Sequence, residues 1–121
     1  MIVVNLPWPP HQLNPNKRMH WSRKSRAARL YRNMCYVLAK NAVQSSDYHF
    51  AGTGKMVFSI EFYPPDKRRR DDDNMLASFK AGRDGVADAL GVDDNKFVTS
   101  FEVCEPVADG AVRVTIQERD Q

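Results

Sequence analysis

Met56, Phe58, Ile60 and Phe62 alternate with Val57, Ser59 and Glu61, and Pro64-Pro65 stops the run. Successive side chains of an extended chain point to opposite faces, so this alternation predicts a strand over residues 55–63 with one face buried. Two helical stripes flank it. A helix is expected to open near Trp21-Ser22 and run to about Val43, with Ala27/Ala28, Leu30/Tyr31, Met34/Cys35, Val37/Leu38 and Ala42 at helical spacing. After the prolines, Met75, Phe79, Gly82, Val86 and Ala89/Leu90 advance by three or four residues and form a second stripe. Asp72 or Asp73 is the expected N-cap of that helix, and Gly91 stands where a C-terminal cap belongs. Gly82 and Gly85 each weaken a helix by about 1 kcal/mol relative to Ala. Their presence suggests close packing against the sheet or a distorted turn.

The remaining elements are shorter. Residues 1–6 read as a strand ended by Pro7, and Pro7-Trp8-Pro9-Pro10 can be neither helix nor central strand. Turn chemistry continues through Asn14-Pro15-Asn16, and residues 45–54 read as a loop. Two final strands are expected at 96–107 and 111–117, the second after an Asp109-Gly110 turn. The pattern is β-α-β-α-β-β over a single domain, 1–121: an α/β fold with a mixed sheet of about four strands and two main helices.

No run approaches the roughly 20 apolar residues that span a bilayer, and Met1 to Pro7 lacks the basic start and apolar core of a signal peptide. A cytoplasmic location is the expectation. Cys35 and Cys104 match no metal-ligand spacing and are expected as reduced, partly buried thiols. The net charge of +3 conceals an asymmetry, because residues 1–46 hold eight Lys and Arg and no acid, while the rest holds ten bases and fifteen acids. An acid-free, Arg-rich segment is the electrostatic footprint of a polyanion-binding surface. It lacks the large apolar face of an interfacial membrane helix, so nucleic acid is the expected partner.

Arg68-Arg69-Arg70-Asp71-Asp72-Asp73-Asn74 sets three guanidiniums against three carboxylates. In an extended segment Asp71 and Asp73 project from one face. Two carboxylates suit Mg²⁺, which takes one or two of them with water and substrate phosphates. The arginines suit phosphate oxygens, which they grip with paired hydrogen bonds. A solvated mixed-charge loop opening a helix is the bland alternative. Asp94 follows about twenty residues later, beyond a helix of about 25 Å. Either that helix is broken around Gly82–Gly85, or a dimer brings Asp94 of one subunit to Asp71 and Asp73 of the other.

Leu6-Pro7-Trp8-Pro9-Pro10, then Pro65-Asp66-Lys67-Arg68-Arg69-Arg70-Asp71-Asp72-Asp73-Asn74, then Asp93-Asp94-Asn95-Lys96-Phe97-Val98 occur in that order over nearly the whole chain. The series resembles the RusA family of Holliday junction resolvases, encoded by phages and prophages. The resemblance implies a Mg²⁺-dependent homodimeric endonuclease that cuts four-way DNA junctions by paired, symmetrical nicks in recombination and repair. Carried over by position, Asp71, Asp73 and Asp94 match the family's acidic metal and catalytic residues, and Arg70 its arginine, expected to face the scissile phosphate. The family's basic catalytic residue is a lysine three positions after the motif Asn, where this chain has Ala77. Lys80, one helical turn further along, is the expected substitute; a solvent-facing lysine is the alternative.

Arg69, Arg70, Lys17, Arg18, Arg23 and Lys24 are the expected DNA contacts, positioning junction arms through phosphates without reading sequence. Trp8 is read first as a hydrophobic anchor on the sheet edge and second as a stacking platform, a role also open to Trp21 and His20. His11, His20 and His49 show no ligand spacing and are expected at the surface. A junction-binding protein with a dead or regulatory metal site, and a general ribonuclease, are the competing functions.

Overall fold

The structure, a computed structural model, describes residues 1–46 and 54–119. Most of the expected 45–54 loop, His49 included, lies outside the described residues. The elements are β1 (Ile2–Leu6), α1 (Trp21–Gln44), β2 (Met56–Tyr63), α2 (Asp72–Leu90), β3 (Phe97–Val103) and β4 (Ala111–Glu118), with 3-10 turns at His11–Leu13 and Asp94–Lys96. The chain is a single α/β domain with a mixed four-stranded sheet in the order β1-β4-β2-β3.

The two C-terminal strands do not pair with each other. β4 inserts between β1 and β2, antiparallel to both, and β3 lies on the far side of β2, parallel to it. Asp109 and Gly110 both adopt positive φ, 66° and 72°, but their turn carries the chain across β2 instead of closing a hairpin. Gly110 is required twice over, since a Cβ there would also strike the Trp8 side chain. β3 is shorter than expected, ending at Val103.

One face of the sheet carries the core. Ile2, Val4 and Leu6 of β1, Met56, Phe58, Ile60 and Phe62 of β2, and Val112, Val114 and Ile116 of β4 are all buried. Phe79 of α2 meets Phe62 edge-on at 6.0 Å, and Phe58 stacks on Phe97 at 4.4 Å. α1 buries only Tyr31, Cys35 and Ala39. Leu30, Met34 and Val37, expected in its core stripe, are exposed. The buried edge of α1 is fixed by the Tyr31 hydroxyl, which donates to the Pro7 carbonyl at 2.6 Å.

The helices cross at Gly85, where a Cβ would run into the Arg32 carbonyl, and Gly82 lies under the Tyr31 and Phe79 rings. The two glycines therefore serve close packing against α1, not against the sheet, and α2 is unbroken from Asp72 to Leu90. Arg32, one of the eight bases of residues 1–46, ties the helices together by donating to Asp88 at 2.6 Å.

Candidate metal and nucleic-acid site

Asp71, not Asp72 or Asp73, caps α2. Its backbone is extended and its Oδ1 accepts from the Asp73 N–H at 2.9 Å. This accounts for one of the helix's orphan donors, and Asp72 and Asp73 in the first turn complement the positive end of the helix dipole. Asp71 and Asp73 thus stand at a helix start, joined by this cap bond, not on one face of an extended strand. Both side chains are exposed. Among the described residues, the second Asp71 oxygen and both Asp73 carboxylate oxygens show no hydrogen bond.

Asp71 and Asn74 open onto a cleft of about 530 Å³ between the start of α2 and the proline-rich segment. Trp8, Pro10, His11, Lys17, Arg68 and Arg69 also line it. Arg70 lies against the same cleft, but its guanidinium turns inward. It pairs with Asp66 at 3.0 Å, donates to the Asp66 and Arg68 carbonyls at 3.1 and 2.9 Å, and lies over the Trp8 ring at 5.8 Å. With 20% of its side chain exposed, Arg70 organises the segment leading to Asp71. Arg68 also pairs with Asp66 at 3.1 Å. The Arg68 side chain and backbone N–H, with Arg70, hold the Asp66 carboxyl down to about 2. Asp66 and Trp8 are the site's organisers that the charge pattern concealed; the only hint is that Asp66 lies four residues before Arg70.

Trp8 is a half-buried anchor, edge-on to Phe62 at 6.1 Å, and one ring serves both the cleft and the core. On its other side is a larger, apolar groove of about 720 Å³ floored by Pro7, Leu30, Tyr31 and Met34 and rimmed by Arg23 and Arg26. Arg18 and Arg23 are exposed, whereas Lys24 is half-buried. Trp21 is exposed next to His20, whose Nδ1 caps α1 by accepting from the Ser22 N–H at 3.2 Å.

Two expected members lie elsewhere. Lys80 shares a helix face with Asp73 but is two turns on, about 10 Å along the axis. It is 68% exposed and pairs with Asp84 at 3.3 Å. Asp94 opens the 3-10 turn beyond the far end of α2, where Arg83 donates to its carboxylate and carbonyl, both at 3.2 Å, and to Thr99 Oγ1 at 3.1 Å. Among the described residues, the buried Arg83 Nε has no hydrogen-bond partner. A continuous α2 removes the broken-helix route to bringing Asp94 home within one subunit.

A second acidic group was not anticipated. Glu61, Glu102 and Cys104 place one ligand atom each within 4.8 Å on the outer face of β2 and β3. Arg113 already neutralises Glu61 at 2.8 Å, and burial, then Glu102 and Glu61, push the Cys104 thiol up, which favours its protonated form. Cys35 is buried, and burial raises its thiol to about 11.

The chain matches no known family profile. It is similar to an uncharacterized protein of Xylella fastidiosa (strain Temecula1 / ATCC 700964), 47% identical over 99 residues that cover 82% of this chain and 64% of that protein. The chain thus spans somewhat under two thirds of that relative's length. Among the described residues no helix is long and apolar enough to cross a membrane.

Proposed function

We propose that the protein is a Mg²⁺-dependent, structure-selective endonuclease that resolves four-way DNA junctions by paired, symmetrical phosphodiester hydrolysis, acting as a homodimer. The observation that carries this reading is the exposed Asp71 carboxylate, which caps α2 by accepting from the Asp73 N–H and borders a cleft lined by Lys17, Arg68 and Arg69. The resemblance to the RusA family over the same residues supports it.

The donor set fits the ion. Mg²⁺ takes one or two carboxylates and keeps several waters, and here solvent-open carboxylate oxygens stand beside cations able to hold a phosphate. Asp71 and Asp73 would hold the metal, with Asp94 of the second subunit as the third carboxylate. When bound, the metal lowers the pKa of a water and neutralises charge on the phosphate.

The chain's own residues do the remaining work. Lys17, Arg68 and Arg69 attract and position the backbone, and the α2 N-terminus adds its positive dipole end. Arg70 fixes the approach to Asp71 through Asp66 and Trp8, so the carboxylates are placed before substrate arrives. A homodimer with one such site per subunit matches the approximate two-fold symmetry of a junction and supplies both cuts.

Ala77 favours a second reading, a junction-binding protein with an inactive metal site, because Lys80 is two turns from Asp73 and paired with Asp84. The test is incubation with Mg²⁺ on a synthetic four-way junction, a matched linear duplex and single-stranded RNA. Paired nicks in the junction alone support the resolvase. Tight junction binding without nicking in Mg²⁺ or Mn²⁺ supports the second reading, and preferential RNA cleavage contradicts both.

A further inference from the structure

The apolar groove of about 720 Å³ lies outside the cleft proposed for DNA. Arg23, Arg26, Leu30, Met34 and Val37 follow one another at intervals of three or four residues, so they share one face of α1 over about 21 Å of helix. This face is turned away from the buried edge at Tyr31, Cys35 and Ala39. Leu30, Met34 and Val37 are 57%, 49% and 53% exposed. Apolar side chains gathered in one patch mark an interaction surface, where scattered ones do not.

The groove is formed before anything enters it. Pro7 and Trp8 make the wall that faces α1. The Tyr31 hydroxyl donates to the Pro7 carbonyl at 2.6 Å, and Trp8 is held edge-on to Phe62 at 6.1 Å. The prolines on either side of Trp8 fix the backbone, so a ligand is spared the cost of ordering this wall.

Charge selects what the groove takes. Arg23 and Arg26 rim it, and among the described residues neither pairs with a carboxylate, whereas Arg32, Arg68, Arg70, Arg83 and Arg113 each do. Residues 1–46 contain no acid, so a second copy of α1 would bring these arginines no carboxylate. A DNA duplex supplies phosphates but leaves Leu30, Met34 and Val37 uncovered. An unstacked base, which lies on an open aromatic face, finds little ring here. Tyr31 is 3% exposed, and Phe62 and the Arg70 guanidinium already lie against Trp8.

We infer that this groove binds an acidic peptide with bulky apolar anchors, carried by a partner protein. Its carboxylates pair with Arg23 and Arg26 at the rim. Its anchors, side chains of leucine or phenylalanine size, enter the groove and cover Leu30 and Met34, as an amphipathic helix does when it lies in an apolar groove. Trp8, Pro10 and His11 line both this groove and the charged cleft and form the partition between them. A bound partner therefore sits beside the cleft without filling it.

The test is selection from a displayed library of random peptides of about 15 residues, roughly four turns if helical, against the full chain. Enrichment of sequences that combine Asp or Glu with Leu, Phe or Trp is expected. A selected peptide, made synthetically with a fluorescein label, is then titrated by fluorescence anisotropy against the wild type and variants. Leu30→Gln, and Arg23→Gln with Arg26→Gln, should each weaken binding about tenfold. Only the arginine pair should also flatten its salt dependence. Lys17→Gln, across the partition, should leave peptide binding unchanged, and circular dichroism checks that every variant folds. Absence of acidic, apolar sequences from the selection, or peptides indifferent to Leu30→Gln, overturns the inference. So does a Leu30→Gln variant that loses labelled single-stranded DNA as strongly as the peptide, which would give the groove to nucleic acid. Self-association in light scattering that Leu30→Gln abolishes would give it to a second copy and overturns it equally. These readouts need no nicking, so they hold whether or not the chain cuts junctions.

Discussion

Asp71 caps the beginning of α2 and Asp94 opens the turn beyond its end, with nineteen residues of unbroken helix between them. At 1.5 Å per residue that is about 28 Å, too far for one ion to bridge within a subunit. Any site that uses both carboxylates needs two copies of the chain.

Asp71 has two separable duties. Asp71→Ala loses the cap and should cost about 1 kcal/mol of stability as well as nicking. Asp71→Asn keeps an acceptor oxygen for the Asp73 N–H, so its denaturation midpoint should stay near wild type while nicking is lost. Chemical denaturation beside junction cleavage measures both, and equal stability losses in the two variants would contradict the capping geometry.

Gly85 is a point of close backbone approach between α1 and α2. Gly85→Ala replaces a poor helix former with the best one, which on an open surface would stabilise by about 1 kcal/mol. Here the Cβ meets the Arg32 carbonyl, and overpacking of this kind costs about 1–3 kcal/mol. Destabilisation in urea is the expected sign, and a stabilised variant would show that the helices are further apart.

The Asp66 carboxyl is held down to about 2, first by Arg68 and then by Arg70. A depressed native-state value means that its contribution to folding is present above the ordinary carboxylate range. That contribution disappears as the pH falls from about 4 toward 2. Carboxyl-carbon NMR titration should find Asp66 among the lowest midpoints in the protein. In Asp66→Asn the 66–71 segment should lose its ordered chemical shifts, and an ordinary Asp66 midpoint would refute the Arg68 contact.

Much of this fold is legible in the sequence because it is encoded locally. Alternation in β2, the stripe of α2 and the Gly91 cap, whose φ is 71°, depend on neighbours a few residues away. Strand order does not: nothing in Ala111–Glu118 says that it inserts between β1 and β2. In α1, neighbouring apolar pairs such as Leu30/Tyr31 and Met34/Cys35 offered two possible core edges, and the distant Pro7 carbonyl selects one. The site divides in the same way. The acidic pair was visible, but the inward turn of Arg70 depends on Trp8, sixty-two residues earlier. The hold of Arg83 on Asp94 spans eleven residues and a helix end, which no periodicity marks.

Ala77 lies one turn from Asp73, is exposed, and stands where the resembled family has lysine. Ala77→Lys should fold normally and raise the nicking rate. Lys80→Ala should lower it by less than about tenfold, because a charge about 10 Å away acts through screened electrostatics. Single-turnover cleavage of a junction compares the two, and a larger loss for Lys80→Ala would make Lys80 the principal cation.

The most direct measurement is junction nicking by the wild type and Asp73→Asn in Mg²⁺, with junction binding followed in parallel. Asp73 contributes its backbone N–H, not its carboxylate, to the cap, so the substitution leaves the fold and the basic cleft in place. The expected result is paired nicks from the wild type, and a variant that binds the junction equally well and does not cut. Nicking that survives in Asp73→Asn, or a wild type that binds without cutting, would contradict the account.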